Sequence, residues 1–219
     1  MEKMNVRDLL QCENIRRQLG EVPRPDLYVL DAASTHFVVV ELVLLKALMG
    51  EGNPGLFISV DRPHQYIVHL LDMHGIAHDG LKFIGAVSRF SGGDVSYRAG
   101  VGLLKGPSHI DELPMVLREC SSAGEGFDIS GLKFAMIDNV SILLMYNGHQ
   151  AVEGFLKDFV QLLSARAAVV LVIDRGRYPD LYSTVLSLGG KELWLEPQQG
   201  RARDNDVQRA DDPNTEKGI

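Results

Sequence analysis

The sequence has little of what marks secreted, membrane-spanning or metal-binding chains. Its two cysteines, Cys12 and Cys120, lie far apart and match neither a CxxC motif nor a zinc-ligand spacing. We expect both to be reduced thiols of a cytoplasmic protein. The longest apolar run, residues 37–45, is interrupted by Glu41 and is too short to span a bilayer. Residues 1–20 lack the apolar core of a signal peptide. We therefore expect a soluble, intracellular protein without membrane contact.

The chain also lacks the excess of basic residues that nucleic-acid-coating proteins carry. It has 22 Lys and Arg against 29 Asp and Glu, a formal net charge of −7. Such a charge repels phosphate backbones, so nucleic acid is an unlikely partner. The 45% hydrophobic and 23% charged residues are typical of globular proteins, and 219 residues suffice for one α/β domain with a full core.

Apolar runs of strand length alternate along the chain with amphipathic segments of helix length. This alternation predicts an α/β fold, a three-layer αβα sandwich around a mainly parallel sheet. The predicted strands are residues 27–30, 56–60, 81–84, 132–137, 168–173 and 192–195. The predicted helices are residues 5–20, 36–49, 63–74, 112–120, 150–164 and 179–188.

The same pattern divides the chain into three parts. Residues 1–21 are predicted as an N-terminal helix and residues 22–196 as the α/β domain. Residues 197–219 hold almost nothing large and apolar and are predicted to be a disordered tail. Within the domain, the Gly- and Ser-rich residues 88–107 are expected to form a long loop or a hairpin.

Polar residues follow five of the predicted strands, at the edge where open parallel sheets bind ligands. We weigh this as a ligand site against the simpler interpretation that strand ends are solvated. The residues concerned are Asp31, Ser34 and Thr35; Asp61 and Arg62; Ser88 and Arg89; Asp138, Asn139 and Ser141; and Asp174, Arg175 and Arg177.

Two of these strand ends carry a family resemblance. Residues 134–138, an apolar strand ending in Asp138, resemble a Walker B strand, and residues 137–141 are similar to that segment in RecA-like ATPases of the KaiC type. Residues 57–61 resemble the second strand of that family, whose end carries catalytic acids. The resemblance spans about residues 22–196 in order and pattern. It implies a RecA-like P-loop topology, with Asp61 and Asp138 as candidate catalytic residues and Asp138 as the candidate metal ligand.

The chain departs from this family at the phosphate-binding motif. G-x-x-x-x-G-K-[ST] occurs nowhere, and aligning it after the first strand places residues 33–40, Ala-Ser-Thr-His-Phe-Val-Val-Val, at its position. Both glycines, the lysine and the hydroxyl are missing. Phosphate binding needs unobstructed N–H groups and positive charge, and β-branched Val38 and Val39 supply neither. The resemblance therefore implies the fold but argues against the family's usual activity.

These observations leave three functions open. The first is a non-catalytic RecA/KaiC-like ATPase homologue, a regulatory or scaffolding protein that binds itself or a partner ATPase. RecA-like domains without a working P-loop serve as structural subunits elsewhere, for instance in the Elongator complex.

The second possible function is a nucleotide-binding protein or weak ATPase that uses ATP and Mg²⁺ in an altered pocket. Its candidate cofactor-binding residues are Ser34, Thr35, His36 and Asn139. The third is an accessory protein of DNA recombination or repair. For the first function we expect no cofactor.

Self-association or binding to a RecA/KaiC-like partner requires a contact surface. The segment 37–45 is apolar almost all round, which predicts either a central buried helix or a helix that meets another subunit. The candidate interface residues are Phe37, Arg62, Arg89, Arg175 and Arg177, the arginines because they could reach a neighbouring anion. Of the four histidines at 64, 69, 74 and 78, His74 and His78 have the i, i+4 spacing of a metal pair, but Gly75 is expected to end the helix between them. We therefore interpret all four as solvated or helix-ending residues rather than as a metal site.

Overall fold

The computed structural model describes residues 4–87, 96–98, 101–104, 106–122 and 131–195. These residues form one eight-stranded sheet with helices on both faces. The strands are β1 (Asp26–Asp31), β2 (Gly55–Ser59), β3 (Leu81–Gly85), β4 (Ser96–Arg98), β5 (Val101–Leu103), β6 (Phe134–Ile137), β7 (Ala168–Ile173) and β8 (Lys191–Leu193). The helices are α1 (Val6–Leu19), α2 (Phe37–Met49), α3 (His64–Met73), α4 (Leu113–Ser122), α5 (Leu143–Tyr146), α6 (His149–Leu163) and α7 (Pro179–Ser187). Short 3₁₀ helices cover Ser34–His36, Pro107–Glu112 and Val140–Ile142.

The strands lie in the order β4-β5-β3-β2-β6-β7-β1-β8. All neighbours pair in parallel except β4 and β5, which are antiparallel. The expected α/β fold with a mainly parallel sheet is therefore confirmed. The antiparallel pair agrees with a hairpin within residues 88–107.

Alternate residues of the central strands pack into two separate cores. In β7, Val169, Leu171 and Ile173 face the core beneath α4 to α7, whereas Val170 and Val172 face the core beneath α1 to α3. All six residues of β7 are buried. A strand covered on both faces needs apolar residues at every position, which explains its unbroken run of Ala, Val, Leu and Ile.

Glycines end two of the helices that lead back to the sheet. Gly50 follows α2 with φ of 49°, and Gly75 follows α3 with φ of 64°. Residues with a Cβ atom rarely adopt these left-handed conformations, so glycine at these positions stops each helix without strain. Both stops were predicted from the sequence.

The N-terminal helix α1 packs against α2. Ile15 and Leu19 are buried in the core that α2 shares, and the Cys12 thiol lies 3.5 Å from the Val43 carbonyl oxygen. Burial raises the pKa of the Cys12 thiol to about 11, so this thiol is a packing group rather than a nucleophile. The predicted tail, residues 197–219, lies outside the described residues.

The strand β8 forms one edge of the sheet. The side chain of Gln18 on α1 contacts Trp194, the residue that follows β8. The Gln18 amide accepts a hydrogen bond from the Trp194 backbone N–H at 3.1 Å and donates one to the Trp194 carbonyl at 2.8 Å. The indole of Trp194 remains 56% exposed. One glutamine therefore binds both backbone groups of this residue.

Across the described ranges, no helix has both the length and the apolar character that crossing a bilayer requires.

Candidate functional site

Acidic residues converge at the carboxyl edge of the sheet, as the sequence predicted. The parallel register aligns Ile58 of β2 with Ile137 of β6, so the residues that follow these two strands lie side by side. The Asp61 backbone N–H donates to Asp138 Oδ2 at 3.3 Å. The Asn139 side chain donates to Asp61 Oδ2 at 3.4 Å. Asp61, Asp138 and Asn139 therefore form one cluster.

The carboxylate of Asp138 is enclosed by backbone amides. Its Oδ1 atom accepts hydrogen bonds from the N–H groups of Val60 at 3.0 Å and Asn139 at 2.7 Å, and its Oδ2 atom accepts the bond from Asp61. The side chain has no exposed surface. Burial raises the pKa of Asp138 to about 7, although the amides favour the charged form. Asp138 thus holds the turn after β2 against the end of β6.

A buried ion pair lies next to this carboxylate. The Arg62 guanidinium donates to both carboxylate oxygens of Glu41, at 3.1 and 3.3 Å, and its other Nη atom lies 3.3 Å from Asp61 Oδ2. Only 1% of the Glu41 side chain is exposed, against 25% for Arg62. Burial, and then repulsion from Asp138, raise the pKa of Glu41 to about 8, while Arg62 opposes that rise. One guanidinium therefore binds two carboxyl groups, those of Glu41 and Asp61.

Glu41 is a member of this site that the sequence pattern did not predict. Its signal was present, since Glu41 is the one charged residue in the apolar run 37–45. A carboxylate in such a run is either exposed or paired with a buried cation. Its partner lies 21 residues away along the chain, which a sequence pattern cannot reveal.

The turn between β1 and α2 has none of the geometry of a phosphate loop. Ala33 has φ of −63° and ψ of 138°, residues 34–36 form a 3₁₀ helix, and α2 starts at Phe37. Thr35 and His36 are exposed. The intervening 3₁₀ turn places His36 at the N-cap of α2, where no side-chain cap bond forms.

The residues of this edge do not fit the magnesium triphosphate that the second function requires. The turn offers no lysine and no glycine, and the nearby cation, Arg62, already binds Glu41 and Asp61. Asp138 has no exposed surface, so a metal ion could reach its carboxylate only if the surrounding turns moved. Within the part of the chain that the structure describes, no three His, Cys, Asp or Glu side chains are grouped to hold a metal.

A second set of polar residues lies at the ends of β1 and β7. The Arg175 backbone N–H donates to Asp31 Oδ1 at 3.0 Å, and the Asp174 N–H donates to Ser141 Oγ at 3.3 Å. The Arg177 N–H donates to Asp174 Oδ1 at 3.2 Å. These bonds fix the loop after β7.

The candidate interface residues fall into different environments. Phe37 is 1% exposed within the core, so we correct its assignment from an interface residue to a core residue. The apolar segment 37–45 is accordingly a central helix, and Val39 is its exposed member, at 49%. Phe37 packs inward because α1 and the sheet enclose this end of α2.

Of the candidate arginines, Arg62 points into the acid cluster. Arg175 lies 3.4 Å from Glu192 and 5.0 Å from the ring centre of Tyr182, and Arg177 lies 5.9 Å from the ring centre of Tyr178. Arg175 and Arg177 are exposed, so both remain candidates for contact with a partner. Arg89 lies outside the described residues.

The acid cluster predicts a specific pH dependence of stability. Glu41 and Asp138 have folded-state pKa values of about 8 and 7, above the ordinary values of 4.5 and 3.8. Between these limits the folded protein binds more protons than the unfolded chain, so both groups lower stability as pH rises from about 4 to about 8. In urea unfolding, the free energy of unfolding of Glu41→Gln relative to the wild type should increase as the pH rises through this range. Above about pH 8 this difference should stay constant.

The matched control is Glu153→Gln on α6, an exposed carboxylate, whose stability curve should run parallel to that of the wild type. A Glu41→Gln difference that is the same at every pH would contradict the raised pKa of Glu41.

Comparison with known proteins adds no assignment. No protein-family model matches the chain, and no curated protein matches it significantly.

Proposed function

We propose that this protein is a non-catalytic RecA/KaiC-like ATPase homologue, which acts as a scaffolding or regulatory module by associating with itself or with a partner ATPase. The observation that carries the proposal is the internally neutralised acid cluster. Asp138, at the Walker B position, binds three backbone N–H groups, and Arg62 binds Glu41 and Asp61. Arg62 and the backbone amides thus stabilise these acidic groups at the place where an active ATPase would use a metal ion.

The sheet is compatible with this assignment. A RecA-like topology does not pair its first strand with its Walker B strand, and β7 lies here between β1 and β6. The β1–α2 turn stands at the position of the phosphate loop but lacks its glycines and lysine. The proposal combines a RecA-like frame with a turn that cannot bind a triphosphate.

Exposed apolar residues offer a surface for association. On the outward side of α1, Val6 is 75% exposed and Leu10 is 60% exposed, and Leu9 lies between them at 43%. Large apolar side chains grouped on one face of a helix are typical of contact surfaces. These residues support an association role.

Calorimetry with ATP and ADP in the presence of Mg²⁺ tests the proposal. We expect no binding with a Kd below about 100 µM, because the turn lacks a phosphate cradle. Light scattering of the same sample should show an assembly, or a monomer that a RecA-like ATPase partner captures.

Nucleotide binding tighter than that limit, and weakened by Asp138→Asn, would replace the proposal with the altered-pocket ATPase. Binding of single-stranded DNA at a stated salt concentration would instead favour a recombination accessory. Asp180→Asn in the first turn of α7, an exposed acid at the same edge, is the matched control.

A further inference from the structure

A cleft lies beside the β1–α2 turn. The first two turns of α1 form one wall, and the start of α2 forms the other. The end of β1 forms its floor, and Leu195, which follows β8, closes one side. Its volume is about 440 Å³, within the range of small-molecule sites. Glu41, Arg62 and Asp138 do not line it, so this cleft is separate from the cluster at the Walker B position.

The inner surface of the cleft is apolar. Val40 and Val43 on α2 and Ala32 after β1 line it and are at least nine-tenths buried. Val39 stands at the mouth with 49% of its surface exposed. Branched aliphatic walls of this kind favour an aliphatic or aromatic group, and they offer nothing to a phosphate chain.

The rim of the cleft carries charges of both signs. Arg7 on α1 is exposed and makes no ion pair with another described residue, so its guanidinium can bind a carboxylate. Asp8 on α1 and Asp31 at the end of β1 supply two carboxylates. Asp31 accepts one backbone N–H, from Arg175, through Oδ1, which leaves lone pairs for an ammonium group.

We propose that this cleft binds a small zwitterion with an apolar side chain, that is, a free aliphatic or aromatic amino acid. The side chain enters the valine-lined interior, the carboxylate binds Arg7, and the ammonium group binds the acidic side of the rim. A ligand with one charge leaves one set of rim groups unpaired, and a polyanion meets two carboxylates with a single arginine. The inference goes beyond the scaffolding function and does not depend on it.

Ligand-observed NMR on the full chain tests this site with four probes. L-leucine and L-phenylalanine should bind with a Kd of about 1 mM or tighter. 4-Methylpentanoate, which is leucine without its ammonium group, and 3-methylbutylamine, which lacks the carboxylate, should each bind about tenfold more weakly. Equal binding of all four probes, or no binding of leucine, would overturn the proposal.

Variants test separately how the two kinds of rim charge and the apolar interior contribute to ligand binding. Arg7→Gln should weaken leucine binding about tenfold and leave the binding of 3-methylbutylamine, which has no carboxylate, unchanged. Asp31→Asn should also weaken leucine binding but leave the binding of 4-methylpentanoate, which has no ammonium group, unchanged. Ala33→Leu adds bulk at an exposed residue in an extended conformation, and it should abolish binding without unfolding the protein. The exposed Arg166→Gln is the control and should bind like the wild type. Leucine binding that survives both Ala33→Leu and Arg7→Gln would place the ligand elsewhere and refute this site.

Discussion

Replacing Arg62 with methionine should lower the free energy of unfolding by about 3 kcal/mol at about pH 9, because Glu41 would then be a buried charge without a cation. Methionine keeps most of the apolar stem and removes both hydrogen bonds to Glu41. At about pH 6 the loss should be smaller, about 1 kcal/mol, since a carboxyl group that binds a proton escapes the penalty. Urea unfolding of the variant and the wild type at the two pH values measures both losses in the free energy of unfolding.

The double variant Glu41→Gln with Arg62→Met distinguishes a charge effect from a loss of packing. If the unpaired carboxylate causes the loss, the neutral amide should recover most of it at about pH 9. Arg166→Met, at an exposed arginine, is the control and should change stability by less than about 0.5 kcal/mol. An equal loss in the single and double variants would show that the guanidinium contributes packing rather than charge.

Gly55→Ala should destabilise the fold by about 3 kcal/mol. A Cβ atom at Gly55 would lie 2.0 to 2.4 Å from ring atoms of Phe134, its register partner on β6. Both residues are buried and β2 is paired on both sides, so neither strand can move without breaking the ladder. Overpacking at such a position costs 1–3 kcal/mol and at times more. Thermal or urea unfolding of the purified variant measures the loss.

A compensating change makes this prediction specific. Adding Phe134→Leu to Gly55→Ala removes the ring and should recover part of the loss. The control is Gly154→Ala on α6, where a Cβ atom meets nothing within 4 Å. There alanine should stabilise the helix by about 0.5–1 kcal/mol, because it reduces the backbone entropy of the unfolded chain. A harmless Gly55→Ala would mean that β2 and β6 pack less closely than described.

The sequence predicted those elements whose periodicity depends only on local burial. The strand 168–173 coincides with β7, and the helix predicted at 150–164 is α6 at His149–Leu163. The 3₁₀ turn at Val140–Ile142 and the four-residue α5 were missed, because helices this short bury too few residues to show a period. The position of β1 between β7 and β8 depends on contacts between distant segments, and alternation alone does not determine it.

The candidate site likewise has features that the sequence predicted and features that depend on contacts between distant segments. The acidic strand ends were predicted because parallel strands bring their carboxyl ends to one edge. That Asp138 binds the amides of the turn after β2, and that Arg62 turns toward Glu41 rather than toward a partner, are properties of tertiary packing. Phe37 was misassigned for a related reason, since an all-apolar helix does not reveal which of its sides the rest of the chain covers.

The Gln18 amide at Trp194 has a consequence for how copies of this protein can meet. An open sheet edge invites another chain to add a strand through its free N–H and C=O groups. Gln18 engages both backbone groups of the residue that follows β8, so an incoming strand would have to compete with a side chain already in place. A strand added to this edge is therefore hindered from pairing beyond Leu193, because it would have to displace Gln18 from Trp194.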